Sequence, residues 1–101
     1  MNTVNAIAKA RFGTAKPQRI QLHKGGGLLV ELLCMEAGQK LSLDSGQWVH
    51  YVVTGKASLT EGGQTTELPT GQLAAASQDR KHTVANVGEG RLVILAAART
   101  G

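Results

Sequence analysis

Short apolar stretches, many alternating with polar residues, run along almost the whole chain, and glycine-containing turns cut them at intervals of roughly 8–12 residues. Gln18 to Lys24 places Ile20 and Leu22 between polar neighbours, the period-two pattern of a half-buried strand. After Gly25-Gly26-Gly27, the run Leu28 to Met35 (LLVELLCM) is nearly continuously apolar, as expected of a strand covered on both faces. Glu36-Ala37-Gly38 turns the chain, and Leu41 and Leu43 then alternate with Lys40, Ser42 and Asp44. Trp48 to Val53 reads as a strand closed by Thr54-Gly55-Lys56. Ala57 to Thr60 and Gln64 to Leu68 flank Glu61-Gly62-Gly63, a tight hairpin signal. Gln72 to Ala76 follows the turn Pro69-Thr70-Gly71, a polar break covers Ser77 to Lys81, and His82 to Ala85 is another short strand. After the turn Asn86 to Gly90, Arg91 to Ala97 (RLVILAA) is the last strong strand. The helical period appears nowhere at length. About eight or nine strands at this spacing predict a sandwich or barrel. Residues 1–17 are the least regular: Ala6 to Phe12 suits a short helical turn, broken at Lys16-Pro17, so the expectation is an N-terminal arm or edge strand over 1–17 and a β-domain over 18–101.

Composition narrows this picture. The chain has 101 residues, enough for one small domain and one core. It is 42% hydrophobic but only 3% aromatic, so Ala, Val and Leu must fill the interior. The formal charge of +4 comes from scattered basic residues with no nucleic-acid motif, and no nucleic-acid partner is expected. No apolar run is long enough to cross a membrane as a helix, and the first thirteen residues lack the apolar core of a secretory signal. Cys34 is the single cysteine and sits in an apolar run, as a buried small hydrophobe would. One cysteine permits no intramolecular disulfide and fits a reducing compartment, so a cytoplasmic location is expected.

Two stretches carry a family resemblance. From Gly71 the chain reads glycine, five residues, Ser77, one residue, Asp79, two residues, His82, three residues, Asn86. This resembles the second sequence motif of the cupin family, the RmlC-like jelly-roll barrels. Gly71, His82 and Asn86 match, while Ser77 and Asp79 stand where the family has proline and glycine. The stretch between Gly38 and Gly55 resembles the first motif in its scaffold, above all in Tyr51-Val52-Val53-Thr54-Gly55. Its metal ligands are missing. Counting back from Gly55 puts Trp48 where the family has a glutamate, and counting forward from Gly38 puts Asp44 and Gly46 where it has two histidines. The resemblance spans roughly residues 18–97. It implies an all-β fold, a small antiparallel jelly-roll barrel with little or no helix, and a homodimer. It also implies that the metal-binding motifs are degenerate, since of the family's three histidines and one glutamate only His82 matches.

The candidate pocket residues are Trp48, His50, His82 and Asp44. Side chains alternate across a strand, so Trp48, His50 and Val52 share a face and Tyr51 looks the other way. If that face is the interior, His50 approaches His82. A divalent ion needs three or four imidazole, thiolate or carboxylate donors, so no metal cofactor is expected; a remodelled site of His50, His82 and Asp44 is the way a divalent transition metal would bind. Trp48 either fills the core or offers its ring to a flat ligand. Asn86 reads as structural, His23 as exposed, and Asp79 with Arg80 as a solvated pair or a contact for a charged ligand. Two function classes remain: a barrel binding a small molecule without metal, and an enzyme. The enzyme would be a metal-dependent oxygenase or isomerase, or a metal-free epimerase-like catalyst with His82 or His50 as base and Asp44 or Asp79 orienting the ring. The runs LLVELLCM and RLVILAA add to the expectation of a homodimer, unless both are simply central strands.

Overall fold

The computed structural model describes residues 1–77 and 80–100; Asp79 lies outside them. The strands are β1 (Gln18–Gly25), β2 (Leu28–Met35), β3 (Lys40–Leu43), β4 (Trp48–Thr54), β5 (Lys56–Glu61), β6 (Gln64–Pro69), β7 (Leu73–Ala75), β8 (His82–Asn86) and β9 (Leu92–Arg99). They form two antiparallel sheets facing each other, ordered β1-β2-β9-β4-β7 and β3-β8-β5-β6. This is the expected small jelly-roll barrel. Its one helical element among the described residues is a 3-10 turn, Ile7–Lys9. The hairpin from β5 to β6 turns on Gly62 and Gly63, both at positive φ (58° and 81°), the backbone a two-residue hairpin needs and one that residues with a Cβ adopt poorly.

The core between the sheets is small and branched, as the scarcity of aromatics requires. Leu33, Met35, Val52, Ala57, Val84, Leu92, Ile94 and Ala96 are fully buried there. A second, smaller cluster lies on the outer face of the five-stranded sheet, where Leu32, Cys34 and Val93 are covered by Ala6, Ala10 and Phe12 of the N-terminal arm. The arm is pinned by Gln39, whose Nε2 donates to the Gly13 carbonyl at 2.7 Å, and by Phe12, whose ring lies 4.4 Å from the Arg91 guanidinium. The two apolar runs are therefore central strands, β2 and β9, each covered on the inside by the core and on the outside in part by the arm. Of the two readings of these runs, central strands is the one observed, with Leu28 at the start of β2 left exposed.

Asn86 is structural, as its place at a strand end suggested. It is buried; its Nδ2 donates to the carbonyls of Met35 (3.1 Å) and Gly90 (2.9 Å), and its Oδ1 accepts the Gly88 N–H (3.0 Å). The side chain thus ties β8 to the end of β2 and closes the β8–β9 turn.

Candidate functional site

Alternation along β4 turns Trp48, His50 and Val52 inward and Tyr51 outward. The register then decides what meets them. In the five-stranded sheet His50 stands opposite Ala96 on one side and Ala74 on the other. In the four-stranded sheet His82 stands opposite Leu43 and Glu61. With alanines beside His50, its ring reaches across the interior, and its Nε2 lies 2.8 Å from Nε2 of His82. One imidazole donates its Nε2–H and the other accepts. Both rings are buried, at 0% and 2% exposure, and the Nδ1 atom of each has no partner among the described residues. One of those atoms is an N–H and the other a lone pair, and leaving a buried polar atom unmatched costs about 1–3 kcal/mol.

Trp48 caps the pair. Its ring is stacked parallel to His50, with centroids 5.7 Å apart, and meets His82 edge-on at 6.3 Å. Above the indole lies the Arg19 guanidinium, 5.9 Å from the ring centre. Arg19 is held by Glu31, with Nη2 2.7 Å from Oε1 and Nε 3.2 Å from the same oxygen. Glu31 is itself only 8% exposed and lies on the inward face of β2, beside Leu33 and Met35. Sequence reasoning passed over this inward ion pair, although a single acid inside LLVELLCM was its visible signal.

Burial keeps the pair neutral. It pulls the pKa of His50 from 6.5 to about 4, with the proximity of His82 adding to the effect. His82 is lowered by burial as well, while the Glu61 carboxylate across the ladder pulls in the opposite direction. Glu61 is held ionised chiefly by the Ser77 N–H, which reaches both of its oxygens at 3.0 and 3.1 Å, and by the Ser77 side chain.

The barrel opens beside this pair. A cleft of about 570 Å³ lies between the β5–β6 edge and β7. Leu59, Leu68 and Ala74 form its apolar floor, and Glu61, Gln64, Thr66, Ser77 and Arg80 its polar wall. Ala74 is the ladder neighbour of His50, and Glu61 that of His82, so the histidines sit directly behind this lining. Of the sequence candidates, the structure brings Trp48, His50 and His82 together. It leaves Asp44 exposed in the β3–β4 loop, so the His50, His82 and Asp44 set does not converge. His23 is exposed, as expected.

The donor set is short for a divalent ion. A tetrahedral site would hold two imidazole nitrogens about 3.3 Å apart, against 2.8 Å here, and among the described residues no group of three or more His, Cys, Asp or Glu is placed to hold an ion. The ring nitrogens that face each other bind each other.

The comparisons agree with the architecture. The family model described as a cupin domain matches residues 32–97, and the chain belongs to that family. The fold is similar to the TT1209 protein of Thermus thermophilus, at 20% identity and a TM-score of 0.92, with 99% of this chain and 98% of that one covered. It is also similar to an uncharacterised double-stranded β-helix protein of Klebsiella pneumoniae, at 21% identity and a TM-score of 0.89, covering 100% and 91%. An RmlC-like cupin of Desulfovibrio desulfuricans matches at 20% identity and a TM-score of 0.79, covering 96% of each chain. At these identities the likeness is one of fold. A search of curated protein sequences finds no match. Among the described residues no helix is long and apolar enough to cross a membrane.

Proposed function

We propose that this cupin barrel binds a small molecule in the cleft beside the histidine pair and does so without a stoichiometric transition metal. The observation that carries this reading is the cleft itself. Its volume, about 570 Å³, lies in the range of about 300–1,000 Å³ common for small-molecule sites, and it joins an apolar floor to a few convergent polar groups. The mutual His50–His82 bond supports the metal-free part, because it occupies the two nitrogens an ion would need.

Two measurements test it. Elemental analysis after purification without chelator or affinity metal is expected to find well under one transition-metal ion per chain. Amide spectra recorded with a metabolite extract are expected to shift at Leu59, Glu61, Ser77 and Arg80. A stoichiometric ion that disappears in His82→Ala would replace this reading with a metal-dependent oxygenase or isomerase.

A metal-free acid–base enzyme is a second reading, favoured by one observation: Glu61 stands across from His82 in the β5–β8 ladder and opposes the effect of burial on its pKa. A carboxylate that raises the pKa of a histidine supports its use as a base, although no hydrogen bond joins the two. It is not Asp44, which is exposed in its loop.

We also propose a homodimer. The support is the outer face of the five-stranded sheet beyond the arm, where Leu28 (43% exposed), Tyr51 (39%) and Leu73 (60%) share one side.

A further inference from the structure

The inward face of β6 changes character along its length. Leu68 points into the core at 2% exposure, whereas Thr66 and Gln64 on the same face are exposed in the cleft. Polar residues at inward positions are costly against an apolar layer and natural against a polar ligand. Toward the hairpin tip this wall carries two opposite charges.

Glu61 supplies the anion. The Ser77 N–H fixes its carboxylate and takes only part of its accepting capacity, since an ionised carboxylate offers about four lone-pair directions. Arg80 supplies the cation. Its guanidinium lies against Gly62 so closely that any side chain at Gly62 would displace it, so the bare hairpin tip forms its seat. The two charges feel each other, because Arg80 helps keep Glu61 ionised. They do not close into a pair: the ion pairs among the described residues are Arg19–Glu31, Lys56–Glu67 and Arg91–Glu36.

We propose that the cleft selects a small zwitterion, with its ammonium group on Glu61, its carboxylate on Arg80 and its carbon chain over Leu59, Leu68 and Ala74. This rests on the reading of the cleft as the ligand site. A ligand with one charge would engage only one of the two groups and leave the other to solvent. A neutral polyol would set hydroxyls against two full charges. A molecule carrying both signs adds the attraction between full charges to a charge-assisted hydrogen bond at each group, so it gains most from this wall. Among the described residues no aromatic side chain lines the cleft, Trp48 being buried in the core, and a flat ring has nothing there to stack on.

The test is a set of amide-shift titrations near neutral pH. The probes are glycine, γ-aminobutanoate and ε-aminohexanoate, the singly charged butylamine and butanoate, and neutral glucose. At least one amino acid is expected to bind at the amides of Glu61, Gln64 and Ser77, with a Kd at least about tenfold below those of butylamine and butanoate. Arg80→Gln should bring that amino acid to the level of butylamine, and Glu61→Gln to the level of butanoate. The two variants are independent, so a fold defect in one leaves the other informative. Binding of butylamine or butanoate within about twofold of the best amino acid overturns the proposal. Glucose shifting the cleft amides where no amino acid does so also overturns it, while leaving the cleft reading intact. Shifts confined to the opposite face, at Leu28, Val49 and Ala97, overturn both.

Discussion

Lowering the pH should destabilise this protein through one buried ring. In the folded state His50 takes up its proton only near pH 4, whereas in the unfolded chain it does so near 6.5. The sign follows from the neutral form being the one the fold tolerates. Above pH 6.5 both states are neutral and the full stability is present. Between 6.5 and about 4 the unfolded chain binds a proton that the folded one refuses, so stability falls; below about 4 both bind it and the loss levels off. At about 1.4 kcal/mol per pH unit the complete loss is about 3 kcal/mol, of which about 2 kcal/mol has accrued by about pH 5. His82 shifts in the same direction and adds to the loss, with Glu61 moderating it. A domain of this size has a total stability of about 5–15 kcal/mol, so the effect is large enough to measure. The assay is urea unfolding followed by Trp48 fluorescence at about pH 8, 6.5 and 5, for the native chain and for His50→Gln. Trp48 is the single tryptophan and stacks on the titrating ring, so it reports on the right place. Carboxylates elsewhere titrate in both proteins and cancel in the difference. The stability advantage of the native chain over the variant should shrink by about 2 kcal/mol between about pH 8 and pH 5. A difference that stays constant across that range refutes the reasoning.

The turn at Gly55 provides a second check. Its φ is +98°, and a Cβ there would lie 2.6 Å from the Arg91 carbonyl oxygen, whereas Gly71, at φ +88°, has open space around it. Gly71→Ala should therefore cost about 1–2 kcal/mol, for the backbone alone, and Gly55→Ala clearly more, in the same urea assay; equal costs would count against the close approach. For association, light scattering at micromolar concentration should give the mass of two chains, and Tyr51→Lys combined with Leu73→Lys should give one. A single-chain mass for the native protein sinks the dimer.

The strands were legible because the chain is built from period-two and short apolar runs bounded by glycine, and LLVELLCM became β2 without a residue's difference. That Trp48 and His50 share a face was legible for the same reason, since alternate residues of a pleated strand point the same way; that this face is the interior was only what the family resemblance implied. Alternation, however, assigns a residue to a face and does not say which distant strand that face meets. The contact between His50 and His82 joins residues 32 positions apart on different sheets, and only the packing of one sheet over the other creates it. The same holds for Glu61, which read as part of a hairpin turn and becomes the neighbour of His82 through the β5–β8 register. Arg19 and Glu31 lay on separate strands with nothing local to pair them, and the arm over Leu32 and Cys34 could not be foreseen from residues that have no regular pattern of their own. Asp44 shows the limit from the other side. Alternation sets it on the outward face with Lys40 and Ser42, and only the motif count made it a pocket candidate; β3 ends at Leu43 and Asp44 is exposed, as the alternation implies. The sequence alone thus determined the strands, their turns and which residues of a strand share a face, because these follow from local spacing. The tertiary structure decided the histidine pair, its guard of Trp48 and Arg19 and the charged cleft beside it, because each depends on which strands the two sheets bring face to face.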